Sequence, residues 1–211
     1  MHNLQHSDST DILWKHILAG TAITVSDGSF FPDEQVGACA WKVATPCMTQ
    51  WIKASGLVPG PLSAQSAYRS EVAGQAGIAL FLSSLLLPCN ATPIIKSACD
   101  GLSALNQIKT ETDEVRQSSQ HGDLLSITAD AWAQSQFTLL KEHVRGHQDD
   151  VQRPLTVLET INCEMDFDAK LVATQYIHNG CPPTRFTPST KGMGTITIRN
   201  QLVCSKIQQS L

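Results

Sequence analysis

Thr21-Ala22-Ile23-Thr24-Val25-Ser26-Asp27-Gly28-Ser29 is the stretch whose reading decides the fold. Side chains alternate along an extended chain, so Ile23 and Val25 share one strand face and the next residue of that parity is Asp27. The pattern predicts a strand over 21–26 with a carboxylate at its end, Asp27-Gly28-Ser29 and Phe31-Pro32-Asp33 being turn residues. Residues 37–44 resume a second strand and 51–57 a third, which predicts three antiparallel strands in succession.

Outward from this meander, Val58-Pro59-Gly60-Pro61 breaks the chain, and residues 67–87 have helical spacing along Val72, Ala76, Ala79 or Leu80, Ser83 and Leu87, with Glu71 in the first turns. Residues 94–99 read as a strand ending at Asp100-Gly101, followed by a helix over 102–108. A polar stretch over 110–122, a helix over 123–134, a fifth strand over 137–144 and a long helix over 155–176 complete the pattern. The expected architecture is α/β: a five-stranded mixed sheet, three antiparallel strands and then two parallel ones, flanked by helices. Residues 1–20 read as a polar leader, 21–176 as the folded domain, and 177–211 as a linker with a small C-terminal hairpin around Ile196, Ile198 and 202–204.

Composition narrows the function. The 211 residues are 42% apolar, enough for a core, and 16% charged, below the roughly 25% of an average domain. A formal charge of -4 argues against a polybasic binder that works by bulk charge, so any nucleic-acid contact has to be local. Seven cysteines with no CxxC pair, and no secretory leader pattern, predict reduced thiols and an intracellular location, cytoplasm and nucleus not being distinguished. Residues 72–95 carry no charge, but Gln75, Pro88, Asn90 and Pro93 interrupt them, so no membrane span is expected.

Four acids stand out: Asp27, Glu71, Asp100 and Asp166. Singly, each has a structural reading: Asp27 starts a turn, Asp100 caps the next helix, Glu71 favours a helix N-terminus, and Asp166 faces water. Together they would meet if the first and fourth strands are neighbours beside two helices. Clustered carboxylates repel and raise one another's pKa unless a divalent ion compensates, and hard oxygen donors suit Mg²⁺, with Mn²⁺ as a substitute. Two such ions could activate water and stabilise the leaving oxygen in phosphodiester hydrolysis.

Ser26-Asp27-Gly28-Ser29, Tyr68-Arg69-Ser70-Glu71, Ala98-Cys99-Asp100-Gly101, Val144-Arg145-Gly146-His147 and Asn162-Cys163-Glu164-Met165-Asp166 follow in chain order. Over residues 21–173 the sequence resembles type 1 ribonuclease H, and the wording AYRSE, ACDG and GHQDD is similar to the ribonuclease H domains of retroelement polyproteins that contain a reverse transcriptase. The resemblance implies a ribonuclease H-like fold and two Mg²⁺ ions held by Asp27, Glu71, Asp100 and Asp166. It further implies hydrolysis of the RNA strand of an RNA/DNA hybrid, with His147 on a mobile loop assisting product departure. Asp168 is the poorer choice for the last acid, and Asp149 and Asp150, beside His147, read as turn residues in preference to a substitute ligand.

His143 and His147 also make an H-x-x-x-H spacing, but no paired cysteines precede it as a zinc finger would need. Hybrid recognition implies contacts to phosphates and 2′-hydroxyls, for which Ser29, Asn106, Gln107 and Lys109 are the candidates. The stretch where some family members carry a basic protrusion is here not basic, having Arg116 against Glu111, Asp113, Glu114 and Asp123. A partner, such as a reverse transcriptase or polymerase domain, or the C-terminal tail through Lys191, Arg199 and Lys206, would then supply affinity. The alternatives are a non-catalytic binding module of the same fold and an integrase- or resolvase-like nuclease.

Overall fold

The computed structural model describes residues 3–85, 87, 92–108, 121–146, 148, 152–179, 196–198 and 201–203. The antiparallel meander is formed by β2 (Ile23–Phe31), β3 (Val36–Ala44) and β4 (Trp51–Leu57), in the predicted order. The β2–β3 turn closes through Pro32, whose carbonyl accepts from the Gln35 side chain at 2.6 Å, with Gln35 at a φ of 54°. β2 runs through Asp27-Gly28-Ser29 instead of ending at Ser26. Asp27 sits mid-strand opposite Ala40, which corrects both the strand-end and the turn reading. Glycine inside a strand imitates a turn signal, yet here it serves a close approach by another backbone.

Among the described residues the sheet has six strands, not five. Asn3–His6 (β1) pairs antiparallel with β4, giving the order β1-β4-β3-β2-β5-β6, where β5 is Ile94–Cys99 and β6 is Thr138–His143. The β2–β5 and β5–β6 pairs are parallel, as expected. The polar-leader reading fails for the same segment, because Asp11–Leu18 forms helix α1, which buries Leu13 and Ile17 one turn apart. Thr10 gives α1 no side-chain cap; Gln50 Oε1 instead accepts from the N–H groups of Ile12 and Leu13 at 2.7 and 2.9 Å.

Helices cover both faces of the sheet. On one lie α1, α2 (Ala67–Ser83), α3 (Leu102–Gln107) and α4 (Gly122–Gln134), packing Ile78, Leu82, Trp132 and Ile17 against Trp41, Val43 and Ile95. On the other lies α5 (Val157–Asn179), whose Ile161, Met165, Ala169 and Ala173, spaced four apart, are fully buried; the first three pack on Val25, Ala40, Ala44 and Ala98, and Ala173 on Val36 and Ala38. Each fully buried Ile or Met contributes about 1.5–3 kcal/mol, enough to hold α5 against the sheet without strong helix propensity. The predicted C-terminal hairpin is present as β7 (Ile196–Ile198) paired with β8 (Gln201–Val203). No helix among the described residues is long and apolar enough to cross a membrane.

Candidate metal centre

The register of β2 and β5 sets the centre. Their parallel pairing runs from Ile23 with Lys96 to Val25 with Ala98, so Asp27 and Asp100 each lie two residues past its end, on the face covered by α5. α2 begins after Pro59-Gly60-Pro61 with Ser66 as N-cap, its hydroxyl accepting from Arg69 N–H at 3.1 Å. The first turns of α2 cross directly over Gly28. A Cβ at Gly28 would lie 2.5 Å from both Glu71 N and Ser70 C, so only glycine permits the approach that brings Glu71 to the acids. Ser70 Oγ donates to Ser29 O at 3.0 Å and fixes the crossing. Gly101 plays the same part beyond β5, where a Cβ would meet Glu71 Cγ at 2.8 Å.

Behind the crossing stands a buried scaffold. Arg69, with no exposed surface, forks onto Asp123 at 2.8 and 2.5 Å and donates twice to Pro59 O, tying the start of α2 to α4. Gln75 donates to Ser26 Oγ and Ala98 O and accepts from Ser97 Oγ, so one amide joins α2 to both parallel strands.

Asp27 is 4% exposed. Its Oδ1 accepts from Gly28 N–H at 2.7 Å and its Oδ2 from Asn162 Nδ2 at 3.0 Å. Burial pushes the Asp27 carboxyl up to about 8, and the charges of Asp100 and Asp166 push the same way, while bonds to Gly28 and the Glu71 side chain oppose them. Burial, then Asp27 and Asp100, also raise Glu71 well above the usual carboxylate range. Asp166 on α5 accepts from Lys170 Nζ at 2.7 Å while its charge bears on Asp27. Asp168, the poorer candidate, pairs with Lys53 at 2.7 Å in a separate network of Lys42, Lys53 and Glu164.

Glu71, Cys99 and Asp100 each bring a ligand atom within 4.8 Å of the others. Cys99 Sγ donates to Glu71 Oε2 at 3.1 Å and accepts from Gly101 N–H at 3.2 Å. The sequence reading missed this thiol, although its place immediately before Asp100 was the available signal. The helix-cap reading of Asp100 does not hold: the cap position of α3 falls on Gly101, leaving Asp100 between β5 and α3. Donor chemistry fits a divalent cation: the carboxylates of Glu71 and Asp100 meet the Cys99 thiol, and Asp27 lies close enough for its charge to raise Glu71. Buried Asn162, bonded to Asp27 through Nδ2, leaves its Oδ1 without a partner.

The substrate candidates divide. Ser29 is 9% exposed, its carbonyl held by Ser70. Asn106 and Gln107 lie exposed on α3, and Gln107 accepts from Tyr68 Oη at 2.9 Å. His147, Lys109, Asp149 and Asp150 lie outside the described residues, as does the stretch 110–120.

No protein-family model and no curated protein matches this chain. Among solved structures, it is similar to the N-terminal RNase H domain of Rv2228c from Mycobacterium tuberculosis, solved as a maltose-binding-protein fusion, at 12% identity and a TM-score of 0.49, covering 76% of this chain and 98% of that one. It is similar to RNase H1 from the halophilic archaeon Halobacterium salinarum NRC-1 at 11% identity and a TM-score of 0.46, covering 73% and 98%. A third is LC11-RNase H1 in complex with an RNA/DNA hybrid, at 8% identity and a TM-score of 0.45, covering 74% and 99%.

Proposed function

We propose that the chain is a divalent-metal-dependent endoribonuclease of the ribonuclease H type, of retroelement origin, acting on the RNA strand of RNA/DNA hybrids. The observation that carries this reading is the meeting of Asp27, Glu71 and Asp100 past the end of the β2–β5 pairing, with the charge of Asp166 acting on Asp27. The order of the five motifs adds the substrate class.

In this reading Asp27, Glu71, Asp100 and Asp166 would hold Mg²⁺ or Mn²⁺. Bound there, the metal would supply an activated water and charge stabilisation for the leaving oxygen. The chain's own contribution is positioning. Asn162 and Gly28 fix the two Asp27 oxygens, Gly28 and Gly101 admit Glu71, and Arg69 and Gln75 hold the elements that carry these groups. Ser29, Asn106, Gln107 and Lys109 are proposed to contact the hybrid, and His147 to assist product departure.

A labelled RNA/DNA hybrid, with matched RNA duplex, DNA duplex and single-stranded RNA, tests the reading in Mg²⁺, Mn²⁺ or EDTA. The expected outcome is metal-dependent cutting of RNA in the hybrid alone, lost in Asp27→Asn. Folded protein that leaves every substrate whole, with or without a polymerase partner, would refute it.

A further inference from the structure

We infer that Glu71, Cys99 and Asp100 form a thiophilic cation site, which takes a Zn²⁺-class ion such as Zn²⁺ or Cd²⁺ through the Cys99 sulfur. The inference deepens the proposed metal centre and rests on the acids lying where a metal binds, but it concerns a donor that an all-oxygen centre does not have.

Three observations carry it. Cys99 has no exposed surface, so its thiol faces the protein interior, 3.1 Å from Glu71 Oε2. Ligand atoms from Glu71, Cys99 and Asp100 lie mutually within 4.8 Å. Tetrahedral Zn²⁺ with one sulfur at about 2.3 Å and oxygens at about 2.0–2.2 Å separates its donors by roughly 3.5 Å, inside that range. Gly101, two residues past Cys99, leaves room beside the Glu71 stem and gives its N–H to the Cys99 sulfur, which steadies the sulfur as a donor.

The donor set also sets the preference. Mg²⁺ takes oxygen and gains little from sulfur, whereas thiolate binds Zn²⁺ and Cd²⁺ strongly. On binding, the thiol proton that now points at Glu71 leaves to solvent, and the sulfur and the Glu71 oxygen both turn to the ion. Thiophilic and oxygen-seeking ions would therefore compete for Glu71 and Asp100.

Cd²⁺ is the probe, titrated into the purified full chain under reducing conditions and followed by the ultraviolet sulfur-to-cadmium charge-transfer band. The band should rise to one equivalent, survive in Cys47→Ser and vanish in Cys99→Ser. Absence of the band in the wild type, or its persistence in Cys99→Ser, would overturn the inference. Because Cys99 is buried, ¹¹³Cd NMR of the wild type gives a measure that needs no variant. A resonance for one sulfur with oxygen donors supports the site, and an all-oxygen or multi-sulfur resonance overturns it. Hybrid cleavage in Mg²⁺ is scored separately. A Cd²⁺ site without cleavage keeps this inference and sinks the nuclease reading; cleavage without a Cd²⁺–sulfur band does the reverse.

Discussion

Asp27 concentrates the cost of the centre. Its carboxyl is pushed from 3.8 up to about 8, so between those values the folded chain holds a proton that the unfolded chain releases. Metal-free stability must then fall as pH rises from about 4 to about 8, because the folded state binds more protons across that window. Asp27→Asn removes this penalty. In EDTA at pH 9 the variant should be more stable by about 1–3 kcal/mol, or about 2–4 °C in Tm per kcal/mol, with little gain at pH 5. Thermal melts at both pH values check this, and equal destabilisation at each would show that Asp27 serves only its hydrogen bonds. Cys47 is the opposite case among the thiols. It is exposed, and bonds with the Thr45 and Thr49 side chains draw its thiol down to about 7, while burial and then the Glu71 charge push Cys39 up to about 12. Iodoacetamide should therefore label Cys47 ahead of the buried Cys39 and Cys99, with its rate half-maximal near pH 7, and Thr49→Val should slow labelling at neutral pH. Peptide mapping reads this directly, and first labelling at Cys39 would contradict the packing.

Elements were legible in the sequence wherever a long periodic pattern announced them. The helical spacings over 67–87 and 155–176 carry through to the Ala67–Ser83 and Val157–Asn179 helices, the first ending four residues early. β1 escaped because four mostly polar edge residues bury little, and the second half of β2 escaped because Gly28 imitates a turn. The acids could be picked from their order, but Cys99 could not be joined to Glu71 without knowing that α2 crosses at Gly28. Motif residue Arg69 likewise proves structural: its guanidinium is buried against Asp123 and Pro59 and joins two helices. Asp123→Ala leaves that charge buried with only the Pro59 carbonyl, at a cost of about 3 kcal/mol, the low end for a broken buried pair. Arg69→Lys should be similarly damaging, because an ammonium cannot make the two-pronged contact. Urea unfolding with an unchanged slope checks both, and a loss below about 1 kcal/mol for Asp123→Ala would make the α2–α4 tie dispensable.

For the whole molecule, the question is how much chain the centre needs. The α5 layer and the meander place Asp27, Asp166 and Asn162, but the opposite layer, which presents Glu71, shares its core with α1. Leu13 and Ile17 are 1% and 2% exposed against Trp41, Val43, Ile78 and Leu82, and β1 covers the outer edge of β4. Removing residues 1–20 would strip two fully buried side chains, worth about 1.5–3 kcal/mol each, and open β4 as an unpaired edge. Domains of this size have total stabilities of about 5–15 kcal/mol, so the loss is a large part of the whole. The 21–211 chain should therefore melt at least about 6 °C lower and associate through β4. Because α2 rests on the same cluster, Glu71 should lose its fixed position and any metal affinity should fall with stability. Melting, sedimentation and hydrogen exchange across residues 51–57 test the chain of reasoning together. Equal Tm and equal protection on β4 in the shortened chain would show that α1 and β1 decorate a core already complete, and that the crossing at Gly28 is held by the Arg69 and Gln75 contacts alone.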